Sequence, residues 1–248
     1  MTARSPNLQG RVALVTGGSR GIGRAIALAL ASAGAAVAVN YRQRENEAAA
    51  VVQEIERGGG RAIAVRADVS VAADVDAMMR GVESGLGVID VLVNNAGTAT
   101  VSDIESLTEA EFDRTLAVNL KSVFLCTQAV LPGMRARRWG RVVNLSSAAA
   151  RGAGAIGVHY NASKAGIEGL TRGYAARVAR EGVTVNAVAP GPIDTEMAEP
   201  LKAANVADRL PVGRLGVADE VAEVVLMVVG NAFITGQTLP VNGGILFN

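Results

Sequence analysis

Short runs that are apolar at nearly every position alternate along this chain with longer stretches that are apolar on one stripe only. A strand with one wet face alternates apolar with polar residues. Runs such as Val12-Ala13-Leu14-Val15 and Val91-Leu92-Val93 do not, which implies strands covered on both faces, the hallmark of a parallel sheet between helical layers. The candidate strands are residues 12–16, 36–40, 62–66, 88–93, 141–145, 183–188 and 238–241. The candidate helices fill the gaps at 21–33, 44–58, 72–84, 109–118, 120–138, 159–181 and 218–229. No linker-like stretch interrupts the alternation, so residues 1–248 are expected to form one α/β domain, a doubly wound parallel sheet of about seven strands with right-handed crossovers and helices on both faces. Hydrophobic residues make up 50% of the chain but aromatics only 3%, so the core has to be built from Ala, Val, Leu and Ile.

Charge and rare residues exclude several classes. The 24 basic and 23 acidic residues nearly cancel and form no polybasic tract, so nucleic acid is not an expected partner. No apolar run reaches the roughly 18–20 residues of a membrane-spanning helix. Residues 1–9 are polar and lack the apolar segment of a secretory signal, and a lone cysteine cannot close an internal disulfide. Both features fit a cytoplasmic protein. Cys126 lies in an apolar helical stretch and reads as packing. His159 is the only histidine, so no metal site is expected, and it reads as a partly exposed side chain beside Tyr160. The least regular segment, residues 190–214, carries Pro190, Pro192, Pro200 and Pro211 and is a candidate substrate lid.

The first strand runs into Thr16-Gly17-Gly18-Ser19-Arg20-Gly21-Ile22-Gly23 and then a helix. Glycines permit the sharp turn and the approach of a diphosphate to main-chain N–H groups, and the helix start offers unpaired donors to that anion. This is the dinucleotide fingerprint of a Rossmann-type fold. The second strand ends Asn40-Tyr41-Arg42 with no carboxylate to hold a ribose 2′-hydroxyl. Arg20 and Arg42 instead favour a 2′-phosphate, so the expected cofactor is NADP(H).

Tyr160 and Lys164 stand four residues apart at the start of a long helical stretch, on one face. A nearby ammonium is expected to favour phenolate and lower the tyrosine pKa toward a useful range. Asn144-Leu145-Ser146-Ser147 and Asn94-Asn95-Ala96-Gly97 end strands at the same carboxyl edge, and Asn119 is a polar residue inside an apolar helical run. These sites are distant in sequence but gather where open α/β sheets bind ligands.

Taken together these motifs, with Asp68-Val69 and Pro190-Gly191, resemble the short-chain dehydrogenase/reductase family over essentially the full length. The resemblance implies Tyr160 as general acid/base and Lys164 as the group that binds the nicotinamide ribose and lowers the Tyr160 pKa. It implies Ser147, rather than Ser146, on the substrate oxygen, and Asn119 holding a relay water. The implied cofactor set is Gly17, Ser19, Arg20, Gly21, Ile22, Gly23, Asn40, Tyr41, Arg42, Asp68, Val69, Asn95, Ala96, Gly97, Tyr160, Lys164, Pro190, Gly191, Ile193 and Thr195, with Asp68 near adenine and Ile193 near the nicotinamide amide. Within the family the chain is most similar to 3-oxoacyl-[acyl-carrier-protein] reductases of fatty acid biosynthesis. That implies an acyl-thioester substrate, acyl carrier protein as a candidate partner, and a homotetramer paired through the stretches 120–138 and 159–181, which carry Gly166, Gly169 and Gly173. Basic residues are then expected near the active-site entrance. Arg138 fills one such position, but Glu181, beside Arg180, fills the second. A sugar, polyol, steroid or other secondary alcohol remains an alternative substrate, and a non-catalytic NADP(H) sensor or scaffold an alternative of another class.

Overall fold

A computed structural model of the chain describes residues 6–196 and 206–247. Residues 197–205 of the expected lid thus lie outside the described residues. The elements follow in the order β1 (Val12–Val15), α1 (Gly21–Ser32), β2 (Ala36–Tyr41), α2 (Glu45–Arg57), β3 (Ala62–Arg66), α3 (Ala72–Gly85) and β4 (Val91–Asn94). They continue with α4 (Glu109–Leu116), a π-helical turn (Ala117–Lys121), α5 (Ser122–Ala136), β5 (Gly140–Leu145), α6 (Val158–Val178), β6 (Val183–Pro190), α7 (Ala218–Gly230) and β7 (Thr238–Val241). Among the described residues, seven strands form one sheet in the order β3-β2-β1-β4-β5-β6-β7, with every neighbouring pair parallel.

The run composition is explained by what each face touches. Every residue of β1, β4, β5 and β6 is buried. Alternate β1 residues serve different layers. Ala13 and Val15 join Leu30 and Val225 in the core beneath α1 and α7, while Val12 and Leu14 join Met78 and Met134 beneath α3 and α5. Complete burial of a side chain such as Leu14 or Leu92 contributes about 1.5–3 kcal/mol relative to exposure, and that is what selects the two-faced apolar runs. Cys126 is part of this packing, and burial pushes its thiol up to about 12.

Three expectations shift. β4 begins at Val91, because Val88 is exposed and Asp90 is occupied with Arg11 at 3.3 Å and Arg137 at 3.6 Å. The helices expected at 109–118 and 120–138 join through the π turn into one helix, Glu109–Ala136. That helix is long and apolar enough to span a membrane by length and composition alone, yet its Val123, Cys126, Val130, Leu131 and Met134 are buried against the sheet. His159 is also fully buried rather than partly exposed.

Strand order reverses between β1 and β4. Connections therefore leave opposite faces there, and a crevice opens at the carboxyl ends of the strands. α6 runs antiparallel to the strands, so its first turn lies at that edge and its last turn at the opposite one.

Candidate active site

The glycine turn is built around Thr16. Its hydroxyl accepts hydrogen bonds from the N–H groups of Asn95 (2.9 Å) and Ala96 (3.0 Å) and donates to Val93 O, which welds the end of β1 to the end of β4. The Asn95 amide in turn donates to Thr16 O at 2.9 Å and Gly17 O at 3.0 Å. Gly17 and Gly21 adopt φ of +60° and +52°, the left-handed region open to glycine. A Cβ on Gly23 would overlap both the Gly17 carbonyl and the Asn95 amide. α1 starts at Gly21 with no side-chain cap and no acidic residue in its first turn, which leaves its N–H groups and positive dipole end available to an anion. Ser19 and Ile22 complete the turn, Ile22 packing against the core.

At the tip of β2 the side chains of Asn40 and Tyr41 turn into the scaffold. Asn40 is buried. Its Oδ1 accepts from Gly17 N (3.1 Å), and its Nδ2 donates to Val65 O and Ala67 O (both 3.3 Å). It is a brace beneath the glycine turn. Tyr41 and Val69 are likewise buried in the two core layers. The exposed charges sort into two groups. Arg42 pairs with Asp68 at 3.5 Å, whereas Arg20 and Arg44 converge on the Glu196 carboxylate, the latter at 3.6 Å. Burial pulls the Asp68 pKa up, but hydrogen bonds from Ser70 and the charge of Arg42 outweigh it and hold the carboxyl below its ordinary value. Arg44 is absent from the residues singled out by sequence. Its signal was the Arg42-Gln43-Arg44 spacing at the start of α2.

β6 ends at Pro190. Gly191 N donates to Val241 O, and a Cβ on Gly191 would lie 2.8 Å from Asn242 Cα. The Ile193 side chain is buried in the core near α7, and its backbone bridges to Gly216. Thr195 lies over the glycine turn, 3.4 Å from where a Gly21 Cβ would stand.

Deeper in the crevice, Asn119 sits in the π turn and is fully buried. It grips the backbone of Thr98 at both ends: Thr98 N donates to its Oδ1 at 2.7 Å, and its Nδ2 donates to Thr98 O at 3.0 Å and to Ser163 Oγ at 3.1 Å. Its amide is thus committed to protein partners. A Cβ on Gly97 would lie 3.3 Å from Asn119 Oδ1 and 3.8 Å from Lys164 Nζ, so these groups meet at one exposed glycine. Ser147 accepts from Ala149 N at 3.1 Å and hydrogen-bonds Tyr160. Ser146 turns the other way, toward Lys164 O (3.2 Å) and Glu168 (3.4 Å). Lys164 is buried with its Nζ donating to Leu145 O at 2.8 Å, 5.6 Å from the Tyr160 ring centre. Beneath them Asn94 donates to Asn144 (2.8 Å) and Thr127 (3.2 Å), and Asn144 donates to Thr171 (2.9 Å), a buried network joining β4, β5, α5 and α6.

The electrostatics correct one expectation. Burial pushes the Tyr160 pKa up, and the Ser147 hydrogen bond pulls it only part of the way back. Burial also lowers the Lys164 ammonium to about 8. The chain's own groups therefore keep Tyr160 a phenol at neutral pH, because the ammonium is spent on a carbonyl and stands over the ring rather than at the hydroxyl. Arg138 and Glu181 stand apart from this cluster within the chain. They precede β5 and β6, at the sheet edge opposite Tyr160, and Glu181 pairs with Arg135 while Arg138 donates to Arg180 O.

The family model for short chain dehydrogenases matches residues 11–206. A 3-oxoacyl-[acyl-carrier-protein] reductase from Synechocystis sp. is 43% identical over 242 residues, covering 96% of this chain and 98% of that protein. A (2S)-[(R)-hydroxy(phenyl)methyl]succinyl-CoA dehydrogenase subunit from Thauera aromatica is 42% identical over 242 residues, covering 96% and 97%. Among solved structures, a blue fluorescent protein from a metagenomic library in complex with NADPH superposes with a TM-score of 0.91 at 38% identity, covering 97% of this chain and 100% of that one. With the β3-β2-β1-β4 order, the glycine turn and the Ser147, Tyr160 and Lys164 cluster sharing one crevice, the chain belongs to the short-chain dehydrogenase family.

Proposed function

We propose that this enzyme reduces the 3-oxo group of an acyl thioester, with NADPH as hydride source. The observation that carries the reading is the Ser147–Tyr160 hydroxyl pair, set beside Lys164, Asn119 and Gly97 at the carboxyl edge next to the glycine turn. The residues fit the cofactor on two counts. Gly23 leaves the turn open where any Cβ would overlap backbone, and the Glu196 carboxylate stands in for an anion between two guanidinium groups. Arg20 and Arg44 would hold the 2′-phosphate, with Arg42 and Asp68 at its flank. The N–H groups opening α1 would hold the diphosphate, and Lys164 the nicotinamide ribose. Bound NADPH supplies the hydride.

Ser147 and Tyr160 both donate to the ketone oxygen, where negative charge develops as its carbon gains hydride. Tyr160 then passes its proton to that oxygen, leaving alcohol and a tyrosinate. Burial keeps Tyr160 in the phenol form, so it holds a proton to give to that oxygen. Exposed Val101 and Ile104, on the segment after Gly97, and Val158, at the start of α6, supply apolar surface for an acyl chain. A coenzyme A thioester is the second reading, supported by the Glu181–Arg135 pair in place of a basic cluster and by the name of the Thauera relative. Assembly is proposed as a homotetramer through α5 and α6, where Leu116, Leu120, Phe124 and Leu170 line an apolar groove. Gly166 there admits Leu120 of its own chain, while Gly169 faces open space.

NADPH consumption with acetoacetyl-CoA, set against a panel of ketones and sugars, tests the substrate class. Turnover of a sugar or simple ketone but not the thioester overturns it. Tyr160→Phe should abolish turnover while leaving NADPH affinity within about twofold, and a variant with substantial activity would remove Tyr160 from the proton-donor role.

A further inference from the structure

The sole histidine has no part in the chemistry above, yet it is fully buried beside Tyr160. Its Nε2 lies 3.1 Å from Thr100 O, and since a carbonyl only accepts, Nε2 carries the proton. Nδ1 is buried without a partner among the described residues, an arrangement that costs free energy and calls for a reason. The reason lies in the strip Gly97–Ser102, which borders the crevice. Asn119 holds that strip at Thr98 through both backbone groups, and Ser102 N donates to Ile156 O at 2.9 Å. Between these anchors the imidazole fastens Thr100. Gly157, at φ +141°, makes room for this contact. A Cβ there would stand 2.7 Å from the ring and 2.8 Å from Ser102 O.

We infer that His159 is a positioning residue: by donating Nε2–H to Thr100 O it fixes the strip 97–102 against the first turn of α6, and so sets the substrate wall relative to Tyr160 and Asn119. The inference rests on the proposed carbonyl reduction but predicts a pattern of its own. A glutamine amide nitrogen reproduces Nε2, whereas an asparagine amide nitrogen reproduces Nδ1. His159→Gln should therefore retain kcat within about threefold. His159→Asn and His159→Leu should lose about ten- to a hundredfold, the scale expected when reacting groups are misplaced by a fraction of an ångström, with NADPH affinity unchanged.

The assays are NADPH-dependent turnover of acetoacetyl-CoA and of ethyl acetoacetate, NADPH binding by fluorescence, and amide hydrogen exchange of residues 98–102. Exchange protection should follow the same order, with wild type and Gln high, Asn and Leu low. Wild-type kcat in the Leu variant overturns the inference. So does equal behaviour of Gln and Asn, or loss in all three variants in parallel with melting temperature. Failure of wild type on acetoacetyl-CoA alone defeats the thioester reading and leaves the ketoester series to decide His159. Failure on both substrates defeats the proposed function, and the exchange series still decides the fastening.

Discussion

Replacing Lys164 by methionine should stabilise the nucleotide-free protein at neutral pH and destabilise it in alkali. The ammonium is buried, and burial lowers its pKa from 10.5 to about 8. Between those values the unfolded chain binds a proton that the folded protein has released, so wild-type stability rises with pH across that window. Below pH 8 both states hold the proton and the full penalty of about 3 kcal/mol stands. Lys164→Met removes that penalty but strips Leu145 O of its 2.8 Å donor, a loss of about 1–2 kcal/mol. The net at pH 7 is about 1–2 kcal/mol in favour of the variant, or roughly 3–6 °C in melting temperature for a chain of this size. As the pH approaches 10 the penalty falls below the cost of the lost hydrogen bond, and the order reverses. Thermal unfolding without nucleotide from pH 6.5 to 10 would show two curves that cross. A gap that is constant with pH, or a variant less stable at pH 7, would show that this lysine is not desolvated.

Gly23→Ala should weaken NADPH binding about ten- to a hundredfold in a fluorescence titration, since the new methyl displaces the Gly17 carbonyl and the Asn95 amide. Glu196→Gln should tighten NADPH about two- to fivefold and leave NADH unaffected, because the carboxylate competes for Arg20 and Arg44 in an exposed ion pair. Isothermal titration checks both affinities. Asn94→Leu should cost about 2–4 kcal/mol in urea unfolding, because it leaves Asn144 Oδ1 and Thr127 buried without their donor.

The sheet was legible because burial on two faces writes itself into consecutive residues, and the crevice because Gly17, Gly23 and Gly97 are demanded by close backbone approach. Direction of a side chain at a strand tip was not legible. Asn40 and Tyr41 stand next to Arg42 in sequence, but the pleat turns them into the scaffold while Arg42 stays outside. The fusion of two helices at Asn119 escaped because a π turn is selected by what the amide grips, Thr98 and Ser163, both remote in sequence. The Tyr160 pKa was read with the wrong sign because spacing on a helix reports that Lys164 is near, and not that its Nζ is already bound to Leu145 O. His159 had no pattern to mark it. Its burial depends on Gly157 and on the return of the 97–102 strip.

The π turn acts as a phase shifter within the Glu109–Ala136 helix. An α-helix advances each residue by about 100°, so one extra residue in a turn rotates everything downstream by that amount relative to what lies upstream. Deleting one residue between Ala117 and Lys121 would restore a regular spiral, but it would force a choice. Either Cys126, Val130 and Met134 swing out of the core, or Asn119 swings away from Thr98. The helical frame and the crevice are therefore tied to a single residue count in this turn.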